Sequence, residues 1–199
     1  KSRVMRPVKK WNRPIDLPGA KKVFSPYRIA INDLGTNLGD YCSYCGMQVY
    51  IISLEVGHVD DKHNNPARIE DWDNFLLACK NCNTIKGTKP INYNAMVFPH
   101  IHNTYKIIQY LTDGVIEVNT TFPNQIQIKI QNTINLVGLD RLPGHLDYSD
   151  KDKRWEYRMK VWRLANKYLQ EFESNSIKIV TIIDLAVTNG FWGVWMQVF

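Results

Sequence analysis

Four cysteines in two closely spaced pairs are the residues whose type and spacing point most directly to chemistry. Cys42 and Cys45 form one Cys-x-x-Cys pair, and Cys79 and Cys82 form the second pair after 33 intervening residues. Four thiolates are the ligand set of a closed tetrahedral Zn²⁺ site, which leaves no coordination position for a substrate. The chain shows no export signal, so we expect bound zinc rather than disulfides. This zinc is predicted to be structural.

Three polar residues near these pairs have side chains suited to phosphodiester hydrolysis. That reaction needs a base for the proton of the attacking water and a cation for the charge that develops on oxygen. His58 can be a neutral base near neutral pH, and the amide oxygen of Asn83 is a hard donor of the kind that Mg²⁺ and Mn²⁺ accept, while Asn74 is the third candidate. The alternatives are ordinary ones: a packed or solvated histidine, and asparagines that cap local turns.

Taken in order, these residues resemble the HNH nucleases whose ββα-metal core is held by a four-cysteine zinc. The strings that carry the resemblance are "LEVGHVDDK", "DWDNFLLAC" and "CKNCNTIKG", within about residues 41–89. The resemblance implies that His58 is the general base and that Asn83 helps to hold a catalytic Mg²⁺ or Mn²⁺. It also implies that Asn74 braces the intervening loop and orients His58.

One position departs from the family pattern. The residue before the base histidine is usually an acidic residue or a second histidine that ligates the metal, but here it is Gly57. Asp60, Asp61, Glu55 or a water could supply the missing ligand, and of these we assign Asp61. If none does, the protein is a weakened nuclease, and the alternative function is a zinc-stapled module that binds nucleic acid or a protein partner.

The positive charge of the chain is concentrated at its start. Residues 1–28 carry nine Lys and Arg against a single acidic residue, Asp16, whereas the whole chain has a net charge of +6, so residues 29–199 sum to −2. Four prolines oppose helix in this stretch, which predicts an extended basic arm. A basic arm suits contact with DNA phosphates, although a solvated tail would have the same composition.

The remaining patterns predict a mixed α+β protein. The apolar run at 49–59 favours a strand, and residues 71–87 are expected to form a loop, the second cysteine turn and a short helix ended by Gly87. Residues 126–138 fit either helix or strand. We also predict a helix at 26–39, a hairpin at 105–119 with a type I′ turn at Asp113-Gly114, and a helix at 149–173 capped by Ser149 or Asp150. Residues 177–187 fit helix or strand, and we favour a helix because Asn189-Gly190 follows as a C-cap. The apolar end, "FWGVWMQVF", should be buried in the fold or covered by a partner.

We therefore interpret the chain as a basic arm (1–28), a zinc-stapled ββα-metal HNH core (29–95) and a hairpin followed by a mostly helical region (96–199). The expected function is metal-dependent endonuclease action on DNA. Shorter strings, among them "MRPVKKW" and "INLVGLDR", resemble HNH proteins of Septu-like and retron-associated anti-phage systems. That resemblance implies a partner ATPase subunit. No apolar run reaches the ~18 residues of a membrane span, so we expect a cytoplasmic protein without a membrane partner.

Overall fold

The computed structural model describes residues 8–16 and 19–199 and confirms the predicted mixed α+β class. It contains two small antiparallel sheets, each of two strands, and the second half of the chain is mainly helical. The strands are β1 (Leu54–His58), β2 (Phe75–Cys79), β3 (Ile108–Tyr110) and β4 (Ile116–Val118), and the helices are α1 (Ile31–Leu38), α2 (Lys80–Lys86), α3 (Thr104–Ile107), α4 (Asn124–Val137), α5 (Arg154–Glu173), α6 (Ile179–Asn189) and α7 (Trp192–Val198).

The first sheet corrects the local predictions on both of its strands. The strand predicted at 49–59 is shorter, because residues 51–53 form a 3-10 turn before β1. Where the pattern predicted a loop, residues 75–79 form β2, which pairs with β1 from Leu54↔Cys79 to His58↔Phe75. Every residue of β2 is buried. A strand covered on both faces has no apolar and polar alternation, so the run "FLLAC" lacks the signal of a half-exposed strand.

Two other local predictions are confirmed. The helix predicted at 26–39 is a 3-10 turn at Tyr27–Ala30 followed by α1, which ends at Gly39 with φ of 72°. The hairpin predicted at 105–119 is β3 paired with β4, although residues 105–107 belong to helix α3 rather than to a strand. Asp113 and Gly114 both have positive φ, as a type I′ turn requires. A Cβ on Gly114 would lie 2.8 Å from the backbone nitrogen of Met159, so α5 packs directly on this turn.

The ambiguous segment at 126–138 belongs to α4, and the helix predicted at 149–173 is α5. Helix α5 begins later than predicted, after Lys153, and no side chain of Ser149 or Asp150 caps it. Its buried face contains two arginines as well as apolar residues. The fully buried positions are Arg154, Arg158, Val161 and Ala165, whereas Phe172 is 37% exposed.

Two arginines face inward on α5 because backbone carbonyls accept their hydrogen bonds. Arg158 is 1% exposed, and its guanidinium donates to the carbonyls of Gly114 and Leu139. Arg154 is 3% exposed and donates to the carbonyls of Val137 and Gly138. Buried charges are tolerated where hydrogen bonds of this kind replace water. Hydrogen bonds to the main chain therefore place these two arginines in the core.

The apolar segment at 191–199 is partly buried in the fold, with Met196 and Phe199 exposed. The helix predicted at 177–187 is α6, which ends at Gly190, and α7 follows. Phe191, Val194 and Trp195 are each at most 3% exposed. The Phe191 N–H donates to the Gly46 carbonyl at 2.6 Å, so the last helix docks on the turn of the first cysteine pair. The outer face of α6 is exposed and apolar, at Ile179, Val180, Ile183 and Val187.

The described part of the basic arm is anchored to the fold at a few buried positions, although most of its residues are exposed. Val8 and Phe24 belong to the main hydrophobic core, and the Lys10 ammonium donates to the carbonyls of Trp72 and Phe75. Burial lowers the pKa of Lys10 to about 8, against the opposing effect of the nearby Asp73 and Asp71 carboxylates. Lys10 is therefore a structural residue and not a phosphate contact. Lys1, Arg3 and Arg6 lie outside the described residues.

Within the ranges 8–16 and 19–199, no helix is both long and apolar enough to cross a membrane. The main core runs from Val8 to Leu139, and a second apolar cluster joins α5, α6 and α7. The predicted boundaries at residues 28 and 95 stay predictions.

Candidate functional site

The four cysteines converge into one buried cluster. Their sulfur atoms all lie within 4.8 Å of one another, and the Sγ atoms of Cys45 and Cys79 are 3.9 Å apart. A tetrahedral zinc with Zn–S bonds of about 2.3 Å requires sulfurs about 3.8 Å apart, so the cluster fits that ion. It is also the only group of three or more His, Cys, Asp or Glu with metal-binding spacing among the residues that the structure describes.

Two tight turns bring the cysteines together. The first pair lies on a turn in which the Gly46 N–H donates to the Cys42 carbonyl, and Gly46 has φ of 76°. In the second pair, Cys79 ends β2 and caps α2, because its sulfur accepts the N–H of Cys82 at 3.5 Å. A strand end and a helix start thus hold one half of the ligand set. All four cysteines are free and buried.

A buried cation lies against this cluster. Arg154 donates from its guanidinium to the Cys82 sulfur at 3.1 Å and pairs with Asp152 at 2.6 Å. Asp152 also accepts from the Asn81 amide at 3.0 Å, so the first turn of α2 is tied to the start of α5. Four thiolates around Zn²⁺ carry a net charge of −2, and the guanidinium offsets part of it. The sequence carries no local signal for this role, because the partners Cys82, Val137 and Gly138 lie far from Arg154 along the chain.

His58 lies at the opposite end of the same sheet, where its ring orientation is fixed. Its Nε2 lies 2.9 Å from the Ile69 carbonyl, and its ring packs edge-on against Tyr27 and Phe75. A carbonyl accepts only, so Nε2 carries the proton and Nδ1 keeps the lone pair that can accept one. Burial lowers the pKa of His58, and the positive charges of Lys62 and Lys86 act in the same direction. The imidazole is therefore neutral at pH 7.

Asn74 has no exposed surface and connects the two sides of the loop that follows His58. Its Oδ1 accepts from the Asp60 N–H at 2.7 Å, while its Nδ2 donates to the carbonyls of Asp60 and Arg68 at 2.9 and 3.2 Å. Arg68 directly precedes Ile69, whose carbonyl holds His58. This geometry is what the predicted bracing role requires. It leaves the Asn74 side chain no free group for direct chemistry.

Asn83 extends from α2 towards β1, at the strand position that has no side chain. Its Nδ2 donates to the Glu55 carboxylate at 2.6 Å, and its Oδ1 lies 3.2 Å from the point where a Cβ of residue 57 would be. Glu55 and Gly57 are two residues apart on β1 and share one face of the strand. The predicted ligand Asn83 and the missing ligand position therefore lie together, with a carboxylate beside them.

The two aspartates after His58 have other partners. Asp60 is paired with Arg68 and accepts the Tyr93 hydroxyl at 3.1 Å. Asp61 accepts from the N–H groups of His63 and Asn64 at 2.9 and 3.1 Å, and from the Asn64 amide at 2.7 Å. These bonds hold the turn that starts the loop, so the structure uses the Asp61 carboxylate locally. Its assignment as a metal ligand stays a prediction from sequence.

Basic and phenolic groups border the histidine. The Lys62 ammonium donates to the Tyr27 hydroxyl at 2.8 Å, and Arg28 lies within electrostatic reach of both Tyr27 and Glu55. Lys86, one turn after Asn83 on α2, is only 2% exposed and acts electrostatically on His58. Sequence reasoning did not single out Tyr27, Lys62 or Lys86. The Lys-Gly pair after the second cysteine pair was the available signal for Lys86.

Comparison with known proteins agrees with this arrangement. Residues 42–89 match the family model described as HNH endonuclease. The matched segment, about a quarter of the chain, holds all four cysteines and the candidate residues His58, Asn74 and Asn83. No protein of curated function matches the chain. The match identifies an HNH domain and suggests a nuclease.

Proposed function

We propose that the protein is a metal-dependent HNH endonuclease that hydrolyses phosphodiester bonds of DNA. The observation that carries the proposal is the state of His58. Its Nε2 is held by the Ile69 carbonyl, its pKa is lowered by burial, and its Nδ1 therefore has a lone pair at neutral pH. A fixed neutral imidazole inside an HNH domain is suited to take the proton of an attacking water.

His58, Asn74 and Asn83 each have a separate role in the proposed reaction. His58 accepts the water proton at Nδ1 as the oxygen attacks phosphorus and the bond to the leaving oxygen breaks. Asn74 keeps the loop carbonyls in place, so the ring cannot rotate away from the water. A divalent cation, when bound near Asn83, supplies charge stabilisation for the phosphoryl and leaving oxygens.

The border of the site supports an anionic substrate. Arg28 is exposed and interacts with the Tyr27 hydroxyl, which also accepts from Lys62. These cations lie beside the ring that packs on His58, at 4.6 Å between ring centroids. Lys and Arg contacts to phosphate position a nucleic acid without reading its sequence. We therefore propose that Arg28 and Lys62 bind phosphates next to the scissile bond.

Cleavage of supercoiled plasmid with added Mg²⁺ or Mn²⁺ tests the function. Replacing His58 with Ala should lower the rate by about 10²- to 10⁴-fold, the usual effect of losing a general base. His145→Ala is the control, because that ring accepts the Asp147 N–H in the segment between α4 and α5. Equal cleavage by wild type and His58→Ala would exclude the proposed mechanism. A binding module that lost catalysis at Gly57 would give no cleavage by any of these proteins.

The wider resemblance to defence-associated HNH proteins leads us to propose that the nuclease acts beside an ATPase subunit in anti-phage defence. Only short sequence strings support this proposal. Co-expression with any ATPase that a neighbouring gene encodes, followed by size-exclusion chromatography, tests the partnership. A shared elution peak and reduced phage plating together would support it, and separate elution would count against it.

A further inference from the structure

We propose that Glu55 is the carboxylate ligand of the catalytic cation and replaces the side chain that Gly57 lacks. The inference rests on the proposed nuclease function and assigns a residue that the family pattern does not. The two proposed protein ligands are Glu55, which belongs to β1, and Asn83, which belongs to α2.

The first support is the contact between the two residues. Glu55 is exposed on β1, opposite Ala78 of β2, and its carboxylate accepts the Asn83 amide at 2.6 Å. Because the amide NH₂ faces the carboxylate, Asn83 turns its Oδ1 towards Gly57. The pair thus presents carboxylate and amide oxygens side by side, and hard oxygens are the donors that Mg²⁺ and Mn²⁺ prefer.

The second support is the space at residue 57. A Cβ there would lie 3.2 Å from both the Asn83 Oδ1 and the Ala78 Cβ, which is tighter than an ordinary contact. Gly57 has no positive φ, so backbone conformation does not require glycine at this position. Glycine instead lets the Asn83 side chain lie against the strand. The absence of a side chain at residue 57 therefore allows Asn83 to take this position.

The third support is that the competing carboxylates are held by groups outside the proposed metal shell, whereas the Glu55 carboxylate contacts Asn83 of that shell. Asp60 is bound to Arg68 and Tyr93, and Asp61 holds the turn through three hydrogen bonds. Glu55 is open to solvent on the face of β1 that Asn83 contacts. A Mg²⁺ or Mn²⁺ bound by one or two protein groups normally completes its shell with waters and substrate phosphate. Two protein donors are enough for such a site.

Manganese binding to the zinc-loaded full-length protein tests the inference without relying on activity. We expect Glu55→Gln to weaken Mn²⁺ binding at least about tenfold, measured by the EPR signal of free Mn²⁺. Gln keeps an oxygen that can accept the Asn83 amide, so a role limited to that hydrogen bond would leave binding unchanged. Glu117→Gln is the matched control, since Glu117 is an exposed glutamate on β4.

The cleavage assay separates this inference from the proposed function. We expect Glu55→Gln to need at least about tenfold more Mn²⁺ for half-maximal plasmid cleavage, whereas His58→Ala should bind Mn²⁺ like wild type and fail to cleave. Unchanged Mn²⁺ binding and metal demand in Glu55→Gln, with His58→Ala inactive, would overturn the role of Glu55 and leave the nuclease assignment standing. Full cleavage by His58→Ala would overturn the nuclease mechanism itself.

Discussion

The β1–β2 sheet has a different chemical site at each of its two ends. The register places Cys79 opposite Leu54 at one end and His58 opposite Phe75 at the other, over five paired residues. At the cysteine end the donors are soft, buried and mutually close. At the other end His58 offers a nitrogen donor. The oxygen donors Glu55 and Asn83 meet between the two ends, where Glu55 is exposed and pairs with Ala78. One short sheet therefore supports a closed site and an open site.

The difference follows from what surrounds each end. The cysteine cluster is enclosed by α5, through Arg154, and by the Gly190–Phe191 segment, which contacts the Gly46 turn. The histidine end is bordered by Tyr27, Lys62 and the exposed Arg28. Closed coordination suits a metal that stabilises a fold, and open coordination suits one that meets substrate. We therefore expect the zinc to exchange slowly and to be needed for folding. A cation at the open site should exchange with solvent and be needed for cleavage.

The largest effect should come from breaking the closed end. Replacing Cys82 with Ser removes one of four converging thiolates and leaves the Arg154 guanidinium without its sulfur acceptor. Structural zinc contributes on the order of 10 kcal/mol to small zinc folds, so we expect an unfolded or aggregating protein without bound zinc. Metal analysis of freshly purified protein, together with thermal denaturation, checks this. A folded Cys82→Ser protein that retains zinc would disprove the four-thiolate site.

Brief treatment with a chelator should distinguish the two metal sites in a single sample. Brief EDTA treatment should abolish plasmid cleavage while the zinc content and melting temperature stay unchanged, because the open site exchanges metal with solvent. Returning Mn²⁺ should restore cleavage. Loss of activity that appears only together with loss of zinc would show that the two sites are not distinct.

The pH dependence of cleavage should reflect the protonation of His58 alone. Burial lowers its pKa below the usual 6.5, so the ring is neutral at pH 7 and cleavage should fall about tenfold per pH unit only below the folded pKa. The unfolded chain binds this proton more readily, so the stability contributed by the neutral ring is complete above pH 6.5 and declines as the pH falls through the folded pKa. A pH–rate profile between pH 4.5 and 8 tests the sign. A midpoint above 6.5 would contradict the buried neutral base.

Two neighbouring lysines provide the smallest and most selective test. Lys10 is buried and bound to the Trp72 and Phe75 carbonyls, whereas Lys9 is exposed. Lys10→Ala should destabilise the protein by about 1–3 kcal/mol, because it leaves buried carbonyls unpaired, and chemical denaturation measures that loss. Lys9→Ala should keep its stability and, if Lys9 contacts phosphate, reduce the salt slope of DNA binding by about one. If Lys10→Ala keeps the stability of the wild type, Lys10 is solvated and the arm is not anchored at this position.

The sequence predicted the closed end of the sheet well and the open end only in outline. Paired cysteines have few structural uses, so their spacing identified the cluster without knowledge of the fold. The strand β2 was missed because full burial removes periodicity, and Arg154 was missed because its partners are carbonyls far along the chain. Asp61 was preferred to Glu55 from spacing alone. The Asn83 partner of Glu55 becomes visible only once α2 is packed against β1, whereas Asp61 is held by His63 and Asn64 of its own turn.

The Arg154 contact to Cys82 limits how this domain can be inherited. The family match ends at residue 89, yet the cation that faces the cysteine cluster comes from residue 154, and the Phe191 contact to Gly46 comes from still later. A recombination event that cut the gene between these points would separate the thiolates from their counter-charge. The nuclease segment and its helical extension should therefore have been passed on and exchanged as one hereditary unit.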